Sequence, residues 1–222
     1  PRHLPRPGSR ARSASGRMTA VGGGGVAAVD ATAVAEALAT FGLDGLRPGQ
    51  AAAIDATLAG RDVVVVLPTG GGKSLCFQVP ALARSGLTIV VSPLIALMKD
   101  QVDSLQAAGV AATFINSSLS KRERETRYKA VARGDYCLLY VTPERFRKPE
   151  FIEAISRRHV KLLAVDEAHC ISEWGHDFRP EYRQLASLRD RFRTATFHAF
   201  TATATEQVRE DIVQQLQLSD PA

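Results

Sequence analysis

The stretch VVVVLPTGGGKSLCFQVPALA, Val63 to Ala83, decides the fold. It joins an unbroken apolar run to a glycine-rich loop and then to a helical pattern. Valines without polar alternation describe a strand buried on both faces, as in a parallel sheet covered by helices. In the loop Leu67-Pro68-Thr69-Gly70-Gly71-Gly72-Lys73-Ser74, glycines let successive backbone N–H groups wrap a phosphate with no Cβ in the way. The helix N-terminus beyond adds its positive end, Lys73 neutralises the outer phosphates, and Ser74 offers a hydroxyl to Mg²⁺. Leu67 stands where the strict pattern G-x-x-x-x-G-K-[ST] has its first glycine, so these residues alone also fit a flexible turn before a lysine.

Outward from this unit the same alternation repeats. Apolar runs predict strands at Asp62 to Leu67, Leu87 to Val91, Ala112 to Ile115, Tyr136 to Val141, Val160 to Val165 and Thr196 to Phe200. Helical patterns fall between them at Ser74 to Arg84, Leu94 to Ala108, Ser120 to Arg133 and Pro143 to Arg158. The second carries Leu94, Leu97, Met98, Val102 and Leu105 on one stripe, and the third opens with a Ser120/Glu123 capping box. Asp30 caps an earlier helix, with Val34, Leu38 and Phe41 on one face and Gly42 as its stop. Strand followed by helix throughout predicts a three-layer α/β domain with a mainly parallel central sheet.

Composition sets the limits. A chain of 222 residues with 45% hydrophobic and 23% charged residues has the balance of a globular protein, in one domain plus a tail. No apolar run approaches the ~18 residues of a membrane span. The net charge of +5 is carried by Arg2, Arg6, Arg10, Arg12 and Arg17; without these five the chain is neutral, so charge alone does not name a partner. Residues 1–29, rich in Arg, Pro, Ser and Gly and ending in Gly22 to Gly25, are expected to be a disordered leader and linker, with the domain at 30–222. The leader lacks the apolar core of a secretory signal and reads as added or translated from upstream of Met18. Cys76, Cys137 and Cys170 are odd in number, far apart and without a Cys-x-x-Cys pair, which argues against a disulfide framework or zinc cluster and for a reducing compartment.

A second element lies 93 residues beyond Lys73, where Leu162-Leu163-Ala164-Val165 ends in Asp166-Glu167-Ala168-His169. Two acids at the carboxyl end of a buried strand sit on the edge where α/β sheets bind ligands. They can divide the labour: Asp166 holds Mg²⁺, while Glu167 orients and deprotonates a water attacking a terminal phosphate. A solvated acidic turn with a capping histidine is the plain alternative.

Asp166 to His169 with the phosphate loop resembles the superfamily 2 helicases, of RecA-like fold. The run DEAHCISEWGHDFRPEY, Asp166 to Tyr182, is similar to the signature of the RecQ DNA helicases. The rest of that set stands in order: Phe41-Gly42, Arg47-Pro48-Gly49-Gln50, Ser92 to Gln101, Tyr140 to Glu144 and Phe200 to Ala204, so the resemblance spans about residues 34–218.

The resemblance implies ATP and Mg²⁺ as cofactors and single-stranded or junction DNA as partner. The Gln50 amide suits the donor–acceptor edge of adenine. Leu43 stands where the family commonly has an aromatic residue to stack the base, which leaves the planar guanidinium of Arg47 for that role. Ser92 and Thr142 each follow a strand and precede a proline, so they are expected on the same edge, gripping strand phosphates; simple turn chemistry is the rival. Trp174, Phe178 and Arg179 lie in what resembles the aromatic-rich loop, where stacked bases shift a segment continuous with Glu167 and His169. His169 bonds a terminal phosphate or a threonine near Thr201 and Thr203, although Thr203 with Glu206 also fits a helix capping box. The helix Lys121 to Arg133, with six basic residues against Glu123 and Glu125, reads as a solvated face.

The expected whole is the first motor lobe of a 3′-to-5′ DNA helicase of repair and recombination, cytoplasmic and nucleoid-associated or nuclear. Without a second lobe to supply an arginine across the cleft, the chain alone is expected not to unwind DNA. Two rivals remain: a nucleotide-dependent switch or scaffold that does not hydrolyse, and an inactive module contacting nucleic acid through the sheet edge or leader.

Overall fold

Every predicted apolar run forms a strand. The computed structural model describes residues 31–222; the expected leader, linker and Asp30 cap lie outside the described residues. In chain order the elements are α1 (Ala31–Thr40), α2 (Pro48–Leu58), β1 (Val63–Val66), α3 (Leu75–Ala83), β2 (Leu87–Val91), α4 (Ile95–Ala107), β3 (Ala112–Ile115) and α5 (Lys121–Arg133). Then follow β4 (Leu138–Val141), α6 (Pro149–Ser156), β5 (Val160–Val165), the short α7 (Leu188–Arg191), β6 (Thr196–Thr201) and α8 (Glu206–Gln215).

The six strands form one sheet in the order β1-β6-β5-β2-β4-β3, with every pairing parallel. Parallel strands need crossovers, and the helices supply them on both faces. Ile89, Val91, Leu163, Val165 and Phe197 pack with Val131 of α5, Phe151 of α6 and Ile212 of α8. Val65, Val90, Leu162, Ala164 and Phe200 pack on the other face with Ala53 of α2, Phe77 of α3 and Met98 of α4. This is the expected three-layer architecture. Because all strands run one way, their carboxyl ends share one rim, and the phosphate loop after β1 and the acid pair after β5 are separated on it by β6 alone.

Four local expectations change. The helix expected over Pro143 to Arg158 is broken into a 3₁₀ turn, Pro143–Arg147, and α6. Pro149 forces Lys148 into extended backbone, φ −97° and ψ 115°, because its ring collides with a helical predecessor. On α4, Met98, Val102 and Leu105 are buried, but Leu94 and Leu97 are 37% and 53% exposed, since α4 starts only after Leu94 and its buried stripe runs through 98, 102 and 105. The cap of α8 is Thr205, whose hydroxyl accepts from the Val208 N–H at 3.3 Å, and not Thr203. By contrast, the Ser120/Glu123 capping box forms as expected, with bonds of 2.8 and 3.3 Å. In α5, Arg127 is half-buried and not a wholly solvated residue: it donates to the Phe114 carbonyl at 2.6 Å and lies over the Phe114 ring.

Candidate nucleotide and nucleic-acid site

The phosphate loop is built on reversed backbone. Gly70 and Gly72 have φ of +77° and +75°, which only glycine adopts without strain, and a Cβ on Gly72 would collide with the Gln50 amide. The Lys73 ammonium donates to the carbonyls of Leu67 at 2.9 Å and Pro68 at 3.5 Å, so the loop is folded around its own lysine. Thr69 and Gly70 are exposed, while Gly71 to Ser74 are half-buried. Ser74 stands immediately before α3, whose first turn is the positive end that phosphates favour.

Gln50 is 4% exposed at the start of α2 and faces this loop. Its Oε1 accepts from the Arg47 N–H at 2.9 Å, and its Nε2 donates to the Gly71 and Gly72 carbonyls at 3.3 and 3.2 Å. The amide expected to read adenine is thus held against the phosphate loop, with the exposed Arg47 beside it.

The acid pair is tied into the same rim. Asp166 continues the ladder through its N–H to the Val91 carbonyl at 2.8 Å, and its carboxylate accepts from the Ser92 hydroxyl at 3.4 Å. Burial pushes its carboxyl up to about 6, with the Glu167 charge adding to the shift; the Glu167 backbone N–H, Lys73 and Ser92 pull the other way. Glu167 has φ +49°, a left-handed conformation that costs a non-glycine residue about 1–3 kcal/mol and aims its side chain off the strand direction.

His169 joins this pair to β6. Its Nδ1 is 3.0 Å from Thr201 Oγ1 and 3.4 Å from Glu167 Oε2. The Thr201 hydroxyl spends its hydrogen on the Thr203 carbonyl at 3.1 Å, so toward His169 it can only accept. The imidazole hydrogen therefore resides on Nδ1. Burial holds the ring below its ordinary pKa, partly offset by Glu167. The Leu67 N–H donates to the Thr201 carbonyl at 3.1 Å, which completes a chain of bonds from the phosphate loop through Thr201 to His169 and Glu167.

The expected nucleic-acid residues divide. Thr142, Phe178 and Arg179 line one cleft of about 360 Å³ with Pro93, Ile95 and Pro180. The Ser92 hydroxyl is turned inward onto Asp166, and the Thr142 hydroxyl donates to Glu144 at 2.5 Å. Trp174 is 69% exposed, so it is not a core residue. Phe178 lies under the Arg183 guanidinium, 5.0 Å from its centroid, and Arg179 pairs with Asp177 at 2.9 Å. One contributor escaped sequence reasoning. Tyr182, fully buried, donates its hydroxyl to the Asp166 carbonyl at 3.1 Å, and its place at the end of the run from Asp166 was the available signal.

A family model described as DEAD/DEAH box helicase matches residues 47–212. The chain belongs to this family. It is 50% identical over 183 residues to a protein of Pasteurella multocida described as ATP-dependent DNA helicase RecQ, covering 82% of this chain and 29% of that one. It is also 45% identical over 190 residues to the ATP-dependent helicase SGS1 of Saccharomyces cerevisiae, covering 82% and 13%. The chain thus spans under a third of these relatives, to which its sequence is similar. Among solved structures, the helicase MrfA bound to DNA and AMPPNP superposes with a TM-score of 0.68 at 19% identity, over 84% of this chain and 28% of that one. The DEAD-box helicase Mss116 gives 0.66 at 17%, over 85% and 42%. These likenesses establish the RecA-like fold. Among the described residues no helix is long and apolar enough to cross a membrane.

Proposed function

We propose that this chain is the nucleotide-binding motor lobe of an ATP-dependent DNA helicase, built to hydrolyse Mg-ATP in a cleft completed by a second lobe. The observation that carries this reading is the convergence of Lys73, Asp166, Glu167 and the His169–Thr201 pair on one rim. The donor set fits Mg²⁺: the Asp166 carboxylate and Ser74 hydroxyl are hard oxygen ligands with no competing thiolate or imidazole in the pair. The metal's chemistry there is charge neutralisation across the phosphates.

Lys73 exchanges its two loop carbonyls for phosphate oxygens, and the N–H groups of Gly70 to Ser74 cradle them. Gln50 and Arg47 hold the adenine. Glu167 takes the proton of the attacking water, and His169, donating from Nδ1, transmits the position of Glu167 to Thr201 and thus to the sheet rim. Single-stranded or junction DNA lies over the Thr142–Phe178–Arg179 cleft, its bases stacking on Trp174 and its phosphates met by backbone N–H groups near Ser92 and Thr142. Movement in the 3′-to-5′ direction, work in repair and recombination, and residence with the chromosome, in nucleoid or nucleus, extend the reading to the whole protein.

Mg-ATP titrated calorimetrically into this chain tests it. Binding is expected to need Mg²⁺ and to weaken at least tenfold in Lys73→Ala, while hydrolysis stays negligible because an arginine from across the cleft is worth about 10³–10⁵ in rate. In the full-length protein Lys73→Ala is expected to abolish unwinding, and Glu167→Gln to bind Mg-ATP without turnover. Unwinding that survives Lys73→Ala overturns the mechanism; rapid DNA-stimulated turnover by residues 1–222 overturns the need for a second lobe.

A further inference from the structure

Behind the acid pair, three ligand atoms that the proposed hydrolysis does not use come together. Cys170 Sγ lies 3.8 Å from His169 Nε2 and 3.7 Å from Asp177 Oδ2, and one ligand atom of each residue falls within 4.8 Å of the other two. The hydrogen of His169 is held on Nδ1 by Thr201, so Nε2 presents its lone pair to this space. A bond from the other ring nitrogen is the usual way a metal-binding imidazole is oriented.

The spacing matches a tetrahedral ion. With metal–sulfur bonds of about 2.3 Å and metal–nitrogen or –oxygen bonds of about 2.0–2.2 Å, the sulfur–nitrogen and sulfur–oxygen edges are about 3.5–3.6 Å. Two edges therefore stand within a few tenths of an ångström of the bound geometry. The third closes by rotation of Asp177, whose side chain is 46% exposed and so also offers the way in. Its Oδ2 accepts from Arg179 Nε and Nη2 at 3.1 and 2.9 Å, bonds that a cation replaces in part. The His176 ring stacks on His169 at 4.4 Å and closes that face of the imidazole.

We propose that His169, Cys170 and Asp177 form a three-ligand site for a borderline-soft divalent cation of the Zn²⁺ type, joining the acid-pair segment to the aromatic loop. One thiolate, one imidazole and one carboxylate select Zn²⁺ or Co²⁺ over Mg²⁺ or Ca²⁺. The fourth position is left to water. Binding exchanges the Cys170 S–H hydrogen for the metal, forming one metal–sulfur bond and releasing one proton per ion. Occupancy draws Asp177 away from Arg179 and frees that guanidinium. The sequence has no paired cysteines to mark a zinc site; this set mixes residue types and comes together where the chain turns back at Gly175.

Co²⁺ titrated into the reduced chain provides the test, with a readout independent of ATP hydrolysis. One equivalent is expected to bind with a thiolate-to-cobalt charge-transfer band and tetrahedral visible bands, bleached by Zn²⁺ and indifferent to excess Mg²⁺. Cys170→Ala removes the charge-transfer band, and Asp177→Asn, which keeps the side chain's size and an oxygen acceptor for Arg179, weakens binding at least about tenfold. Cys76→Ala and Cys137→Ala leave the spectrum unchanged. A band that survives Cys170→Ala, that vanishes in Cys137→Ala, or whose affinity ignores Asp177→Asn overturns the site.

Discussion

Asp62, the residue before β1, is 6% exposed and accepts three charged or backbone donors: the Phe197 N–H at 2.8 Å, the Ser219 N–H at 2.8 Å and Arg189 Nη2 at 2.6 Å. Arg189 in turn donates from Nε to the Leu216 carbonyl at 2.9 Å and lies over the Phe197 ring, 4.3 Å from its centroid. One carboxylate thus ties the entry of the edge strand to the start of β6 and to the segment after α8. Asp62→Ala strands a guanidinium whose side chain is only 22% exposed and orphans two N–H groups. Removing one partner of a buried pair costs about 3–5 kcal/mol, and water reaching Arg189 from its exposed side holds the total near ~4 kcal/mol. For a domain of this size each kcal/mol moves Tm by about 2–4 °C, so thermal unfolding followed by circular dichroism should shift down by roughly 8–16 °C. Arg189→Met should cost less, and the double variant Asp62→Ala/Arg189→Met less than the sum, with a coupling of about 0.5–3 kcal/mol. A fall in Tm under 3 °C for Asp62→Ala, or strictly additive variants, would refute the tie.

Thr201→Val keeps shape but removes the acceptor of His169 Nδ1, so stability should drop by about 1–3 kcal/mol in urea unfolding while Thr201→Ser stays near wild type; equal midpoints for Val and Ser would show that the hydroxyl does nothing. Burial pushes His198 down to about 4 from its ordinary 6.5, with Nε2–H directed at the Arg61 carbonyl at 3.2 Å. A base with a depressed folded pKa leaves the unfolded chain binding the extra proton. Stability is therefore whole above pH 6.5 and declines as pH falls toward 4, by up to about 3 kcal/mol, and His198→Gln should flatten that part of the pH profile. Trp174 is the sole tryptophan, so single-stranded DNA added to this chain should quench its emission in a salt-sensitive way, and emission indifferent to DNA would remove Trp174 from the interface.

What the sequence made legible follows from one physical fact: in an all-parallel sheet every strand's carboxyl end lies on the same rim. Ser92, Thr142, Asp166 and Thr201 could be placed together without knowing which strands are neighbours, because each directly follows an apolar run or ends one, and Lys73 joins them through the short glycine loop after β1. Strand order carries the rest. Only because β6 inserts between β1 and β5 does Thr201 stand between the phosphate loop, through the Leu67 N–H, and the acid pair, through His169. Adjacency of β2 to β5 likewise turns the Ser92 hydroxyl onto Asp166 instead of outward. Asp62 and His198 were invisible for the same reason, since their partners lie 135 and 141 residues away along the chain. The Asp166 to Tyr182 run behaves differently. Its residues contact one another across a single turn, so Asp177 meeting Cys170 and Arg179, and Tyr182 reaching back to Asp166, are consequences of local chain reversal. That locality puts Trp174, Cys170 and Asp177 on one short segment whose start holds Glu167 in its strained left-handed conformation, so the proposed DNA contact and the proposed ion site would both act on the same loop.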